Sequence, residues 1–250
     1  MRRFAIVLGI LGLVLGGLAT SQAVDDGSQG WGIAAVEAYG AISLLALAGA
    51  HGSRSAGASV EDLTSRAGWG LLVRAALLPY SVVAASTLAV SSLLVREDLM
   101  NAIAPGLFLG RLPFPWERGR LKAAGVSAVL SLCWEFTSVV TVPGIATVSI
   151  PILDGCPPTR RQFRETVERV ERWRDEGRVV LIHCAQGHGR SAIVAAAVLI
   201  RLGLARDTDE ALSRIRTSRP RANPSPAQIA ALRVFLESTA IPPQESHFDG

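Results

Sequence analysis

Three long apolar runs fill the first 95 residues, and short apolar runs separated by polar, turn-rich stretches fill the rest. The first run, "FAIVLGILGLVLGGLAT" (residues 4–20), holds seventeen residues without a charge and follows Arg2 and Arg3. The others cover residues 31–50 and 75–95. Runs of this length cross a hydrocarbon core as helices, so the pattern predicts an all-α transmembrane region over residues 1–95. Ser21-Gln22-Ala23 leaves open that the first run is a cleaved signal peptide. Glu37 in the second run is expected one to two turns from the membrane surface, and Arg74 at the head of the third can snorkel.

From Arg96 the pattern changes to that of an α/β domain. Strands are expected at "GLFLG" (106–110), "VSAVLSL" (126–132), "ATVSIPI" (146–152) and "VVLIHC" (179–184). Between the last two, Phe163, Val167, Val170 and Trp173 recur at helical spacing and mark the core face of a helix over 160–176. Further helices are expected over 191–202, 208–217 and 225–238, the first of them apolar on almost every side. Strands alternating with helices predict a mixed or parallel sheet flanked by helices, forming a domain over 96–240 with a flexible tail at 241–250.

Charge changes this picture little. The formal net charge is +4, and the region before Arg96 balances five arginines against five acids. The excess beyond it is scattered and almost all arginine, with no aromatic-interleaved basic stripe, which argues against nucleic acid as a partner. Three cysteines, none in a C-x-x-C pair or at metal-ligand spacing with histidine, argue against a disulfide framework, and no metal or cofactor is expected.

Each cysteine is therefore read in its own surroundings, and "VVLIHCAQGHGRSA" (179–192) is the informative one. An apolar strand delivers Cys184 to the sheet edge, and a helix begins near Gly189 to Ser191. Loop amides and the helix dipole then converge on one small volume, where a cysteine thiolate is favoured and an anion can be held. Gly187 and Gly189 suit amides turned inward around such an anion. The loop backbone of Ala185, Gln186, Gly187, His188 and Gly189 would supply those amides. Arg190 offers a planar fork for two oxygens, and Ser191 can hydrogen-bond the sulfur. His183 is expected to set the loop through hydrogen bonds rather than act as a base, and His188 to face substrate or solvent.

"HCAQGHGRS" resembles the H-C-x5-R-S/T signature of the cysteine-dependent protein tyrosine phosphatase superfamily, in particular its dual-specificity branch. "APGLFLGRLP", "GVSAVLSLCWEF" and "RPRANPSPAQIAAL" extend the resemblance over most of residues 104–237. It implies a dual-specificity-phosphatase-like fold and a mechanism in which Cys184 attacks phosphorus to form a phosphocysteine, Arg190 and the loop amides hold the phosphoryl oxygens, and a carboxylic acid protonates the leaving oxygen. Asp154 in "IPILDGCPPT" resembles that acid, thirty residues before Cys184, with Glu135 as the alternative. Thr159 is the better cap for the helix that follows. Cys156 is read as apolar filler or as a redox partner of Cys184, and Cys133 as core. Gln228 either orients water or is an exposed helical residue, and Trp116, Trp134 and Phe136 are rim or core.

The resulting expectation is a multi-pass membrane protein whose phosphatase domain acts on a phosphoprotein or a phospholipid head-group phosphate. Ala185 and His188 stand where lipid-directed members acting on polyphosphorylated inositols tend to carry lysine, which argues against those substrates; a less charged lipid phosphate such as phosphatidylglycerophosphate stays open. The alternatives are a non-catalytic phosphate-binding module and, less well matched, arsenate reduction or sulfur transfer on a similar loop. Thiolate chemistry favours the cytoplasmic side, whereas three full spans with Arg2 and Arg3 inside would place the domain outside. The oligomeric state is left open.

Overall fold

The computed structural model of the chain describes residues 6, 9–14, 35, 37–45, 48–49, 78, 86, 88, 90, 97–134 and 143–239. It divides into two compact units: Met1–Asp98 with Cys133–Val139 and Pro151–Asp154, and Leu99–Leu132 with Val140–Ile150 and Gly155–Gly250.

In the first unit, the described positions within residues 6–49 and 78–90 are helical. Ile10, Leu13 and Ile42 are exposed, whereas Ala41 and Leu88 are buried. Among the described residues, no helix is long and apolar enough to cross a membrane. The expected transmembrane region is thus not supported by what is described, and most positions of the three apolar runs lie outside the described residues. The same holds for the tail at 241–250 and for Glu135 and Phe136.

A five-stranded sheet in the order β1-β2-β5-β3-β4 has most of its residues in the second unit. Its strands are β1 (Met100–Ala104), β2 (Leu107–Arg111), β3 (Ala128–Cys133), β4 (Ala146–Ile152) and β5 (Val180–Cys184). The edge pair β1 and β2 is antiparallel, joined at Pro105-Gly106, where Gly106 takes φ 70°, a conformation only glycine adopts freely. β2, β5 and β3 run parallel, with Leu107 opposite Val180, Arg111 opposite Cys184 and Ser131 opposite His183. β5 is central and buried at all five positions, which is why its sequence reads as an unbroken apolar run rather than an alternating one.

The helices are α1 (Arg118–Ala123), α2 (Arg160–Asp175), α3 (Arg190–Arg201), α4 (Thr208–Ser218) and α5 (Pro226–Thr239). Thr159 opens α2 with a capping box: its Oγ1 accepts from the Gln162 N–H at 3.2 Å, and Gln162 Oε1 accepts from the Thr159 N–H at 2.9 Å. Such a pair satisfies two of the donors a helix start leaves open. The α2 face of Phe163, Val167, Val170 and Trp173 is buried, and Phe163 stacks on Phe235 of α5 at 5.0 Å. Burying side chains of this size contributes about 1.5–3 kcal/mol each. α3 is buried at every residue from Arg190 to Leu199 and packs against α2, α4, α5 and β5. A helix enclosed on all sides has no polar face, as its composition predicts.

Two elements go beyond the sequence pattern. β1, "MNAIA", is too short and too mixed to show a strand period; its place is set by pairing with β2. α1, "RGRLKA", buries only Leu121, which leaves no helical stripe to read.

Candidate active site

The loop between β5 and α3 places the sulfur of Cys184 among donors. The Gly187 N–H points at Sγ from 3.3 Å, and Ser191 Oγ lies 3.2 Å from it. Toward a thiolate, the hydroxyl is the donor. Cys184, Arg190 and Ser191 are all buried, at 3%, 2% and 0% exposure, and Arg190 is the first residue of α3, with Gly189 as its N-cap. The sulfur, one loop amide, the helix start and a guanidinium thus belong to one short turn, the setting in which a thiolate and a bound oxyanion are both favoured.

Gly187 is required on two counts. Its φ is 80°, and a Cβ there would lie 2.5 Å from the Gly110 carbonyl oxygen and 2.9 Å from Arg219 Nη2. Gly189 serves differently from the expectation. Its φ is −105° with ψ −80°, outside the left-handed region, and a Cβ would stand 3.3 Å from Gln228 Oε1, a tight contact with the end of a buried side chain.

The loop carbonyls turn outward onto a residue that sequence reasoning did not single out. Arg219, fully buried just after α4, donates from Nε to the Gly187 carbonyl at 3.1 Å and from Nη2 to the Gln186 carbonyl at 2.9 Å. Its Nη1 donates to Asn101 Oδ1 of β1 at 2.8 Å. Peptide planes whose oxygens are drawn toward this guanidinium present their N–H groups to the opposite side, where the sulfur sits. The only trace of Arg219 in sequence is its place at the head of "RPRANPSPAQIAAL", and no spacing rule connects it to residue 187.

His183 is buried, with Nδ1 3.3 Å from the Cys184 carbonyl oxygen; in the tautomer that fits, Nδ1–H donates. Burial, together with the nearby Arg190 charge, pushes its imidazole down to about 4 despite that hydrogen bond. The folded chain therefore keeps His183 neutral between about pH 6.5 and 4, while the unfolded chain protonates it. Unfolding takes up a proton in that window, so stability falls as pH drops, by about 3 kcal/mol in total. Thermal melting from pH 7 down to pH 4 is expected to show this loss in the full chain, and His183→Gln to lack that component.

His188 is half-buried, and its carbonyl accepts from the Asn223 N–H at 2.9 Å. Ala185 is half-buried and its carbonyl accepts from the Leu112 N–H at 3.0 Å, while the Gln186 side chain is exposed. Gln228 is not the exposed helical glutamine that one reading allowed. It is 3% exposed; Nε2 donates to the Cys156 carbonyl at 3.1 Å and Oε1 accepts from the Ser225 N–H at 2.8 Å. Asp154 is exposed in the turn after β4, beside Gly155 at φ 69°. All three cysteines are buried and none is in a disulfide. Trp116 is not a core residue: it is 76% exposed. Among the described residues no cluster of His, Cys, Asp and Glu is placed to hold a metal ion.

Residues 118–238 match the family model described as the dual specificity phosphatase catalytic domain. The chain is 32% identical over 124 residues to dual specificity protein phosphatase 12 of Mus musculus, covering 48% of this chain and 36% of that one. It is 31% identical over 140 residues to dual specificity protein phosphatase 15 of Mus musculus, covering 54% and 57%. Each match thus spans less than two thirds of the relative's own length. The crystal structure of human DUSP28 superposes with a TM-score of 0.52 and 26% identity, covering 57% of this chain and 95% of that one. Over residues 118–238, just under half of the chain, sequence and fold agree in their likeness to dual-specificity phosphatase catalytic domains.

Proposed function

We propose that the chain is a phosphomonoester phosphatase that works through a phosphocysteine, with Cys184 as nucleophile, Arg190 and the loop amides of residues 185–189 as the oxyanion cradle, and Asp154 as general acid. The observation that carries this is the sulfur of Cys184 lying within 3.3 Å of both the Gly187 N–H and the Ser191 hydroxyl. In the first step sulfur bonds to phosphorus while the P–O bond breaks, and the leaving oxygen takes the proton of Asp154. In the second step water attacks phosphorus, gives a proton to the Asp154 carboxylate, and sulfur departs with its electron pair. Ser191 stabilises that departing thiolate. The exposed turn of Asp154 suits a group that must meet substrate, and two residues further on Gln228 fixes the Cys156 carbonyl.

A membrane-attached phosphatase for phosphorylated protein or for a phospholipid head group is the fuller reading; the apolar runs at 4–20, 31–50 and 75–95 support attachment, and thiolate chemistry supports the cytoplasmic side. The competing reading is a non-catalytic phosphate-binding module. Leaving-group dependence separates them. General-acid help matters most for a poor leaving group, so Asp154→Asn is expected to lower kcat on an alkyl phosphate by about 10²–10⁴-fold and to affect 4-nitrophenyl phosphate far less. Absence of turnover of either substrate by the unaltered full chain would favour the binding module instead.

A further inference from the structure

The segment joining β2 to α1 leaves the sheet beside the phosphate-binding loop: Arg111 is opposite Cys184, and the Leu112 N–H donates to the Ala185 carbonyl at 3.0 Å. It is held rigidly. Arg111 clasps Glu117 through two hydrogen bonds of 2.8 and 2.7 Å, and the Phe114 N–H donates to the same carboxylate at 3.0 Å. Outside this clasp, the Arg111 guanidinium lies over the Phe114 ring at 5.1 Å, and Phe114 stacks on Trp116 at 4.7 Å with planes 9° apart. The ladder ends in an indole held out to solvent, the most exposed large apolar side chain among the described residues.

The next turn is cationic. Arg118, Arg120 and Lys122 are all exposed, and the only carboxylate from residue 111 to 122 is Glu117, which is buried, clasped by Arg111 and also 3.3 Å from Arg120 Nη1. The outward side of the segment therefore shows one indole, the Arg118 and Lys122 cations, an Arg120 tied at one nitrogen to Glu117, and no exposed acid. Trp beside Arg and Lys is the combination that settles at the head-group level of a bilayer, the ring in the interface and the cations on lipid phosphates. A protein partner would be expected to meet further apolar surface around the indole. Here its flanks are exposed Pro115 and the basic turn.

We propose that Trp116, with Arg118, Arg120 and Lys122, docks the domain onto an anionic phospholipid surface, presenting the mouth of the Cys184 loop at head-group depth. The surface stands on the geometry of this segment alone and holds whether or not the loop turns over phosphate.

The test uses the full chain and its Trp116→Phe variant, whose fluorescence difference isolates one of the five tryptophans. Each is mixed with phosphatidylcholine vesicles carrying lipid brominated near the head group, with or without phosphatidylglycerol. The expected result is quenching of the Trp116 component by vesicles containing phosphatidylglycerol. That quenching should be lost in pure phosphatidylcholine and in an Arg118→Glu, Lys122→Glu chain whose circular dichroism is unchanged. Three results would overturn the proposal. Trp116 could stay unquenched by anionic vesicles while open to acrylamide. It could be quenched equally with and without phosphatidylglycerol. It could also be shielded from acrylamide before any vesicle is added, which would assign the surface to a protein contact. Turnover of 4-nitrophenyl phosphate in the same samples reports the catalytic reading separately, so docking without turnover, or turnover without docking, tells which of the two has failed.

Discussion

Cys184→Ser is expected to abolish turnover, lowering kcat on 4-nitrophenyl phosphate by on the order of 10⁴-fold or more, while phosphate and tungstate still bind. The substitution changes one atom in a site whose other parts remain in place. A serine hydroxyl is protonated at any pH the fold survives, and the Gly187 N–H and Ser191 hydroxyl that approach the sulfur at 3.3 and 3.2 Å cannot by themselves convert it to an alkoxide. A thiolate needs only that modest help, because a free thiol already ionises within two pH units of neutrality. Isothermal titration with tungstate and a turnover assay on the same preparation check both halves of the expectation. Residual turnover above about a tenth of the unaltered rate would place the nucleophile elsewhere, and no turnover by either form would leave only the binding function.

The loop was legible because its chemistry is contiguous. From His183 to Ser191 the strand end, the glycines, the arginine and the helix start follow one another in sequence, so spacing alone predicts which atoms meet. The central strand and α2 were legible for a related reason: β5 is buried on both faces and reads as an apolar run, and α2 buries a stripe whose apolar members are Phe163, Val167, Val170 and Trp173. What the pattern missed depends on partners distant in sequence. β1 is a strand through its pairing with β2. Gln228 is buried because the Cys156 carbonyl, 72 residues away, accepts from it. Trp116 could not be assigned to rim or core until the Arg111 clasp fixed the turn that carries it. Gly189 shows the limit even inside the motif, since its backbone is not left-handed and the nearest neighbour a Cβ there would meet is Gln228, 39 residues away.

Arg219 is the strongest case of a distant partner, and Arg219→Ala is expected to disable the loop without touching any group that meets substrate. The side chain is fully buried and gives hydrogen bonds to two loop carbonyls and to Asn101, 118 residues away. Truncation removes these bonds and leaves buried acceptors and a void, a loss of about 3–5 kcal/mol when a buried, charge-assisted network is broken. Its effect on chemistry follows from orientation: with the Gln186 and Gly187 carbonyls no longer held outward, the peptide planes can rotate and the amides facing the sulfur lose alignment. Loss of one aligned donor in an oxyanion cradle costs about 10²–10³-fold in kcat. Arg219→Lys separates the two effects, because an ammonium can retain one carbonyl and the charge but not the fork that spans both carbonyls and Asn101. The lysine chain is therefore expected to recover most of the melting temperature and little of the kcat. Asn101→Ala, which loosens only the far end of the fork, should fall between the lysine form and the unaltered chain in kcat. Equal recovery of stability and turnover by lysine would reduce Arg219 to a packing residue and free the loop geometry from its control.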